Sequence, residues 1–195
     1  IWGNWGMAQN FIFAFNVTQM LNDGVMPAIS EAISHGKKIL SQYYSAMAYK
    51  YNALTSAFIG AVLLAVAPKF ILGSTGVDFE RAAIYVIPLT IWGAVQFPSW
   101  VGDNVQLGAN KPYLKSILVF GEQVIRVALA WILLERFQVT ALIIAYFVGL
   151  SAKGITSYFV NHKLCYPRRF YVWQSLVAPL LAAAAHFGIL SLLNN

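Results

Sequence analysis

Four groups of polar side chains lie inside long apolar stretches of this 195-residue chain, and their types and spacing are what could do chemistry. The first is Asn16, Gln19, Asn22 and Asp23. Spacings of three and then four put Asn16, Gln19 and Asp23 on one helical face. Pro27, one turn on, leaves a backbone carbonyl near Asp23 without its donor. A stripe of amides ending in a carboxylate beside a proline fits the wall of a water-filled pathway; interhelical hydrogen bonding is the plainer use of the same residues. The second group is Glu122 and Arg126, four apart with the acid first, the favourable order for an ion pair within one helix. Such a pair either neutralises itself while tying helices together or holds the guanidinium toward an anionic substrate. Third comes Lys153, with no acid three or four residues away and with Gly149, Ser151 and Gly154 nearby to permit close helix approach. It snorkels, pairs with a carboxylate on another helix such as Glu122, or meets a substrate phosphate. The fourth group, Asp103, Asn104 and Gln106, follows Pro98 and Trp100 and reads as a cap at a helix end rather than as a site.

Enzyme motifs are missing, and no enzymatic activity is expected. The sequence has no paired-histidine metal motif, no phosphate-binding glycine loop and no nucleophile elbow. His35, His162 and His186 fall in different segments. Cys165 is alone, so neither an internal disulfide nor a zinc or iron–sulfur set can form. No metal and no cofactor are expected. A membrane-embedded glycosyl- or acyltransferase would need a loop with Asp-x-Asp or a His–acid pair, and no loop carries either. Asn16-Val17-Thr18 matches a glycosylation triplet but lies within an apolar span. The tyrosines at 43, 44, 49 and 51 are either headgroup anchors or sugar-stacking surfaces.

The elements that must position these residues follow from composition. Apolar residues make up 59% of the chain and charged residues only 10%, against about a quarter in a soluble domain. Too little polar surface remains to wrap a globule in water. An all-α integral membrane protein is expected. A spanning helix needs about 20 mostly apolar residues, and six stretches qualify: Trp5–Ser30, Tyr43–Ala67, Ala82–Leu107, Tyr113–Leu134, Val139–Val160 and Val172–Leu192. They form one transmembrane helical bundle. Turn residues separate them: His35-Gly36-Lys37-Lys38, Pro68 with Gly73-Ser74-Thr75-Gly76, Gly108-Ala109-Asn110-Lys111-Pro112 and Pro167-Arg168-Arg169. Glu135-Arg136-Phe137-Gln138 closes a tight hairpin between the fourth and fifth.

The basic residues orient the bundle. The net charge of +6 could suggest nucleic acid, but the cations sit in short loops between apolar segments, so no nucleic-acid partner is expected. Lys37, Lys38, Lys50, Lys111, Lys115, Lys163, Arg168 and Arg169 belong to the odd loops, and only Lys69, Arg81 and Arg136 to the even ones. By the positive-inside rule the odd loops are cytoplasmic and both ends of the chain external. Trp2, Trp5, Trp100, Trp131 and Trp173 fall near span ends, as interfacial anchors do, while Trp92 falls mid-span and belongs to the core or to a cavity wall. The chain begins at Ile1 with no targeting pattern and ends just past an apolar run, so it reads as part of a longer protein.

Certain fragments, taken in order, resemble the multidrug/oligosaccharidyl-lipid/polysaccharide exporter superfamily, in its polysaccharide-biosynthesis flippase branch. Pro27-Ala28-Ile29-Ser30-Glu31-Ala32 is similar to that branch's P-x-I-S-E-A signature at the inner end of an even-numbered helix. Gly36-Lys37-Lys38 and Tyr43-Tyr44 resemble its basic turn and the entry to its next span. Ala67-Pro68-Lys69-Phe70-Ile71-Leu72-Gly73 resembles its usual loop ending, and the stretch from Asp103 to Lys111 its next closing turn. The likeness covers roughly residues 15–115; the rest matches by hydropathy alone. It implies a MATE-like fold of two similar helix bundles around a central cavity, with this chain supplying most of the C-terminal bundle, from an eighth helix to a thirteenth. The implied substrate is a polyprenyl-pyrophosphate-linked oligosaccharide carried across the cell membrane, with membrane lipid and a Na⁺ or H⁺ coupling ion as further partners. Asn16, Gln19, Asn22 and Asp23 would line the cavity, with Arg126 or Lys153 supporting the head group or the bundle. The competing readings are a cation-coupled multidrug antiporter of the same superfamily, with Asp23 as the ion site, and a structural subunit of a membrane complex.

Overall fold

The computed structural model describes residues 2–75 and 79–165, together with Leu181 and Ala185. The expected sixth span, Val172–Leu192, and the basic residues Arg168 and Arg169 therefore lie outside the described residues, as do residues 76–78 of the second loop. Everything described is helical apart from short turns: α1 (Trp2–Asn10), a 3₁₀ segment (Phe11–Phe15), α2 (Asn16–Ser34), α3 (Lys38–Thr75), α4 (Glu80–Val95), α5 (Phe97–Gly108), α6 (Pro112–Phe137) and α7 (Val139–Cys165). Among the described residues four stretches are long and apolar enough to cross a membrane, namely Lys38–Thr75, Glu80–Gly108, Pro112–Phe137 and Val139–Asn161. The chain is an all-α protein of membrane character.

The expected boundaries need three revisions. The first segment is helical, but it is divided among α1, the 3₁₀ segment and α2 and is not among the four; Asn16, Gln19, Asn22 and Asp23 dilute its apolar content. Pro68 does not end the second span. It sits inside α3, which runs 38 residues, or roughly 57 Å at the rise of an α-helix, well beyond the apolar thickness of a bilayer. The third span is divided at Gln96 into α4 and α5. Pro98 stands in the first turn of α5, where its missing backbone donor is tolerated, and Gln96 N–H bonds back to Gly93 O at 3.3 Å.

Two of the turns have the same closing geometry. Gly36 takes φ 67°, and Lys37 N–H donates to Ala32 O while Gly36 N–H donates to Ile33 O. Asn110 takes φ 56°, with Lys111 N–H on Gln106 O and Asn110 N–H on Leu107 O. Both are Schellman closures, which need a left-handed residue and therefore favour Gly or Asn. Pro112 then opens α6 in its first turn, where the missing donor costs nothing.

By its contacts the chain divides into two compact units, the described parts of 1–19 and 50–97 and those of 20–49 and 98–171. In the first unit α1 and the 3₁₀ segment pack on α4. Trp5 is buried edge-on to Tyr85, centroids 6.4 Å apart, so it is a core residue and not the interfacial anchor its position suggested. Trp92 is buried too. Phe79 has no side-chain acceptor to cap α4, and Asn4 of α1 accepts the Ala82 N–H instead, at 3.0 Å; an orphan donor of the first turn is thus satisfied from a neighbouring helix. Phe15, fully buried, lies against Gly93, where an added Cβ would stand 2.6 Å from the ring, and a Cβ at Gly60 of α3 would stand 3.0 Å from Ala94 Cβ of α4.

In the second unit α6 and α7 form the expected antiparallel hairpin, turned at Gln138. Gly108 of α5 abuts Ile29 and the Ser30 backbone of α2.

Gly93→Ala is expected to cost about 1–3 kcal/mol, because the new methyl must displace a buried ring. Gly121→Ala, whose Cβ meets nothing within 4 Å, should be neutral or slightly stabilising. Melting of the purified variants in detergent checks both; equal midpoints for the two would remove Phe15 from its place over Gly93.

Candidate functional site

An ionisable side chain in an apolar span has to find an opposite charge or water. In the second unit α5, α6 and α7 each contribute such groups, and they converge. Lys153 of α7 is 6% exposed. Its Nζ donates to Asp103 Oδ2 of α5 at 2.9 Å and stands 3.7 Å from Glu122 Oε2 of α6. Glu122 in turn receives the Arg126 guanidinium one turn along α6. Arg126 lies over the ring of Tyr146, 4.5 Å from its centroid, a cation–π contact between α6 and α7. Asp103 and Glu122 are each 7% exposed. Two acids and two bases form one chain of contacts across three helices, with no net formal charge.

Glycine lets the helices approach. A Cβ at Gly149 would stand 2.7 Å from Arg126 Cγ and 3.3 Å from Glu122 O, so any side chain there would push α6 and its guanidinium away. Gly102 does the same for α5 against α7, since a Cβ would collide with Ser157 and stand 3.1 Å from Asn161 Nδ2.

A neutral polar seam continues the network. Gln106 Nε2 donates to Ser157 Oγ and Asn161 Oδ1, both at 3.2 Å, and Asn161 Nδ2 donates to Gly102 O at 3.3 Å. Lys153, Ser157 and Asn161 are four apart on α7, and Asp103 and Gln106 three apart on α5, so one face of each helix carries the whole set.

The residues singled out in the sequence are distributed as follows. Glu122 and Arg126 are paired within α6. Of the three uses open to it, Lys153 pairs with carboxylates on other helices, Glu122 at 3.7 Å and, nearer, Asp103. Asp103 reads from sequence as an interfacial cap, yet it is buried and bonded to Lys153; the missed signal was a buried-span lysine lacking an acid on its own helix. Asn16, Gln19 and Asp23 are exposed, while Asn22 is buried with its Oδ1 unbonded among the described residues. Asp23 Oδ1 accepts from Asn104 Nδ2 at 3.3 Å. The α2 polar group is thus not gathered into the ionic network. Among the described residues no cluster of three or more His, Cys, Asp or Glu could hold a metal ion.

Searches of protein-family models, of curated proteins and of solved structures each return no match to this chain.

Breaking one member of a buried pair leaves the other uncompensated, at a cost of about 3–5 kcal/mol. Glu122→Gln, which strips acid from both Arg126 and Lys153, is expected to show a loss of that size in denaturant or thermal titration. Adding Arg126→Gln to it should restore part of the loss by rebalancing the charge. If the double variant were weaker than the single by the full cost of a second break, the pairing would be wrong.

Proposed function

We propose that this chain forms most of one helix bundle of a membrane transporter, a flippase that moves polyprenyl-pyrophosphate-linked oligosaccharide across the cytoplasmic membrane for surface polysaccharide synthesis. The observation that carries the transporter part is the buried, charge-balanced network of Asp103, Lys153, Glu122 and Arg126 within apolar helices. Ionisable groups are expensive in such surroundings and are kept there for function or for bundle architecture. The resemblance of residues 15–115 to the flippase branch supports the choice of substrate.

Within this reading the head group and sugar are recognised by the exposed polar residues of α2, Asn16, Gln19 and Asp23, rather than by Arg126 or Lys153. Both cations are engaged by buried carboxylates, and a pyrophosphate would have to displace those acids to reach them. Membrane lipid covers the outer side of α6, where a groove of about 590 Å³ is lined by Phe120, Val124, Val127 and Trp131. The loops carrying Lys37–Lys38 and Lys111 face the cytoplasm in this arrangement. Asp23, exposed and held through one oxygen by Asn104, is the observation that favours the second reading, a cation-coupled multidrug antiporter.

The test uses the protein in proteoliposomes, following protection of a fluorescent polyprenyl-pyrophosphate saccharide from an external enzyme. Saccharide movement that falls at least about tenfold in Asp23→Ala and in Asn16→Ala is the expected result, a loss of about 1.4 kcal/mol or more in barrier terms. Dye efflux under a Na⁺ or H⁺ gradient, with no saccharide movement, would transfer the protein to the antiporter class. For orientation, Lys37→Cys in a Cys165→Ser background should resist an impermeant maleimide in intact cells and react after permeabilisation.

A further inference from the structure

Two carboxylates from different helices, Asp103 of α5 and Glu122 of α6, converge on a single nitrogen, the ammonium of Lys153, at 2.9 and 3.7 Å. Without that nitrogen the arrangement is a site for a small monovalent cation. Two buried acids face one point, and one of them, Glu122, also receives Arg126. Asp103 Oδ1 and, one turn along α5, Gln106 Oε1 are buried oxygens without a hydrogen-bond donor among the described residues. The side chain of Lys153 is 5% exposed, so its ammonium is held inside the helices and does not reach for water.

We infer that Lys153 is a tethered cation: its ammonium permanently fills a two-carboxylate cation site that joins α5, α6 and α7. The inference stands on this geometry whatever the chain transports. Formal charge supports it. With Lys153 in place the four groups sum to zero, and a further cation would leave an uncompensated positive charge in an apolar interior. Remove the ammonium and the sum becomes one negative charge, shared by two acids that are held by helix packing and cannot move apart. Such a site takes up a cation from solution, and Na⁺, with its preference for oxygen ligands, and a primary alkylammonium, which restores the lost donors, are the two probes that fit. A covalently attached cation cannot leave and return. On the transporter reading of the chain, this point of the bundle is therefore locked through the cycle, and any ion coupling is done elsewhere.

The experiment is thermal unfolding of the full chain in detergent at constant ionic strength, with choline, sodium or propylammonium as the only cation. Propylammonium matches the part of the lysine side chain that Lys153→Ala removes. The native protein should melt at the same temperature in all three. Lys153→Ala should melt at least about 8 °C lower in choline, the effect of breaking a buried pair in a chain of this size. Sodium or propylammonium should recover a substantial part of that, saturably; recovery by propylammonium alone means that the site selects the donor geometry of an ammonium, and recovery by sodium that it accepts a bare ion. Both outcomes uphold the tethered cation. Lys153→Ala that melts like the native protein, or that is weakened and unmoved by either cation, overturns it. Should Lys153→Ala fail to fold, Lys153→Met combined with Asp103→Asn decides, because it balances the charge without any cation. That double variant is expected to fold and to melt alike in all three salts, and its failure to fold also overturns the inference.

Discussion

The interaction on which the second unit depends is the contact of the Lys153 ammonium with two acids in a place where water cannot screen them. In a soluble protein an exposed Lys–Asp pair contributes little, because solvent competes for both partners. Here the surroundings invert that balance. Each charge alone would be costly to keep within the helices, so the charges stabilise the bundle chiefly by removing one another's cost. The consequence is geometric. Asp103, Glu122 and Lys153 sit on three different helices, and none can shift by much without exposing another, so α5, α6 and α7 are held in one relative position by electrostatics as well as by packing.

Packing has to permit that position first. Apolar contact in lipid provides little drive for helix association, since lipid tails are as apolar as leucine; close backbone approach has to supply it. Gly149 and Gly102 are where this happens in the second unit, at the places where a guanidinium and a serine–asparagine pair occupy the room that a Cβ would take. The first unit uses the same device for a different filling, with Gly93 and Gly60 making room around Phe15. One unit is therefore closed by an aromatic ring and the other by ions, and small residues are the precondition for both.

Much of the architecture was legible because lipid imposes a crude rule. Apolar stretches of sufficient length had to be helices, and the hairpin between α6 and α7 follows from two such stretches separated by four residues. Proline was the poorer guide. Pro68 lies inside α3 and Pro27 inside α2, since a single lost donor can be tolerated in a helix, whereas Pro98 coincides with a real break. The first segment shows a different limit: local 3₁₀ geometry at Phe11–Phe15 divides it, and hydropathy carries no information about that. Trp5 shows the same limit. Position near a span end predicts an anchor, yet Tyr85, eighty residues away in sequence, decides that it is core.

The candidate site was half legible, and the dividing line is sequence separation. Glu122 and Arg126 could be paired from spacing alone because a helix brings residues four apart together. Lys153 could be recognised as needing an acid, but its choice among acids depends on how α5 packs beside α7, which no periodicity encodes. The stripe Lys153, Ser157, Asn161 was nevertheless present in the sequence, as was Asp103 with Gln106, and two polar stripes on apolar helices have few ways to be buried other than against each other. That complementarity also bears on what the charges are for. A cation displayed to a phosphate must be able to give up its partner, whereas Lys153 is enclosed by acids from two helices and Arg126 by an acid and an aromatic face. Their arrangement suits holding a bundle together rather than displaying a charge to a ligand.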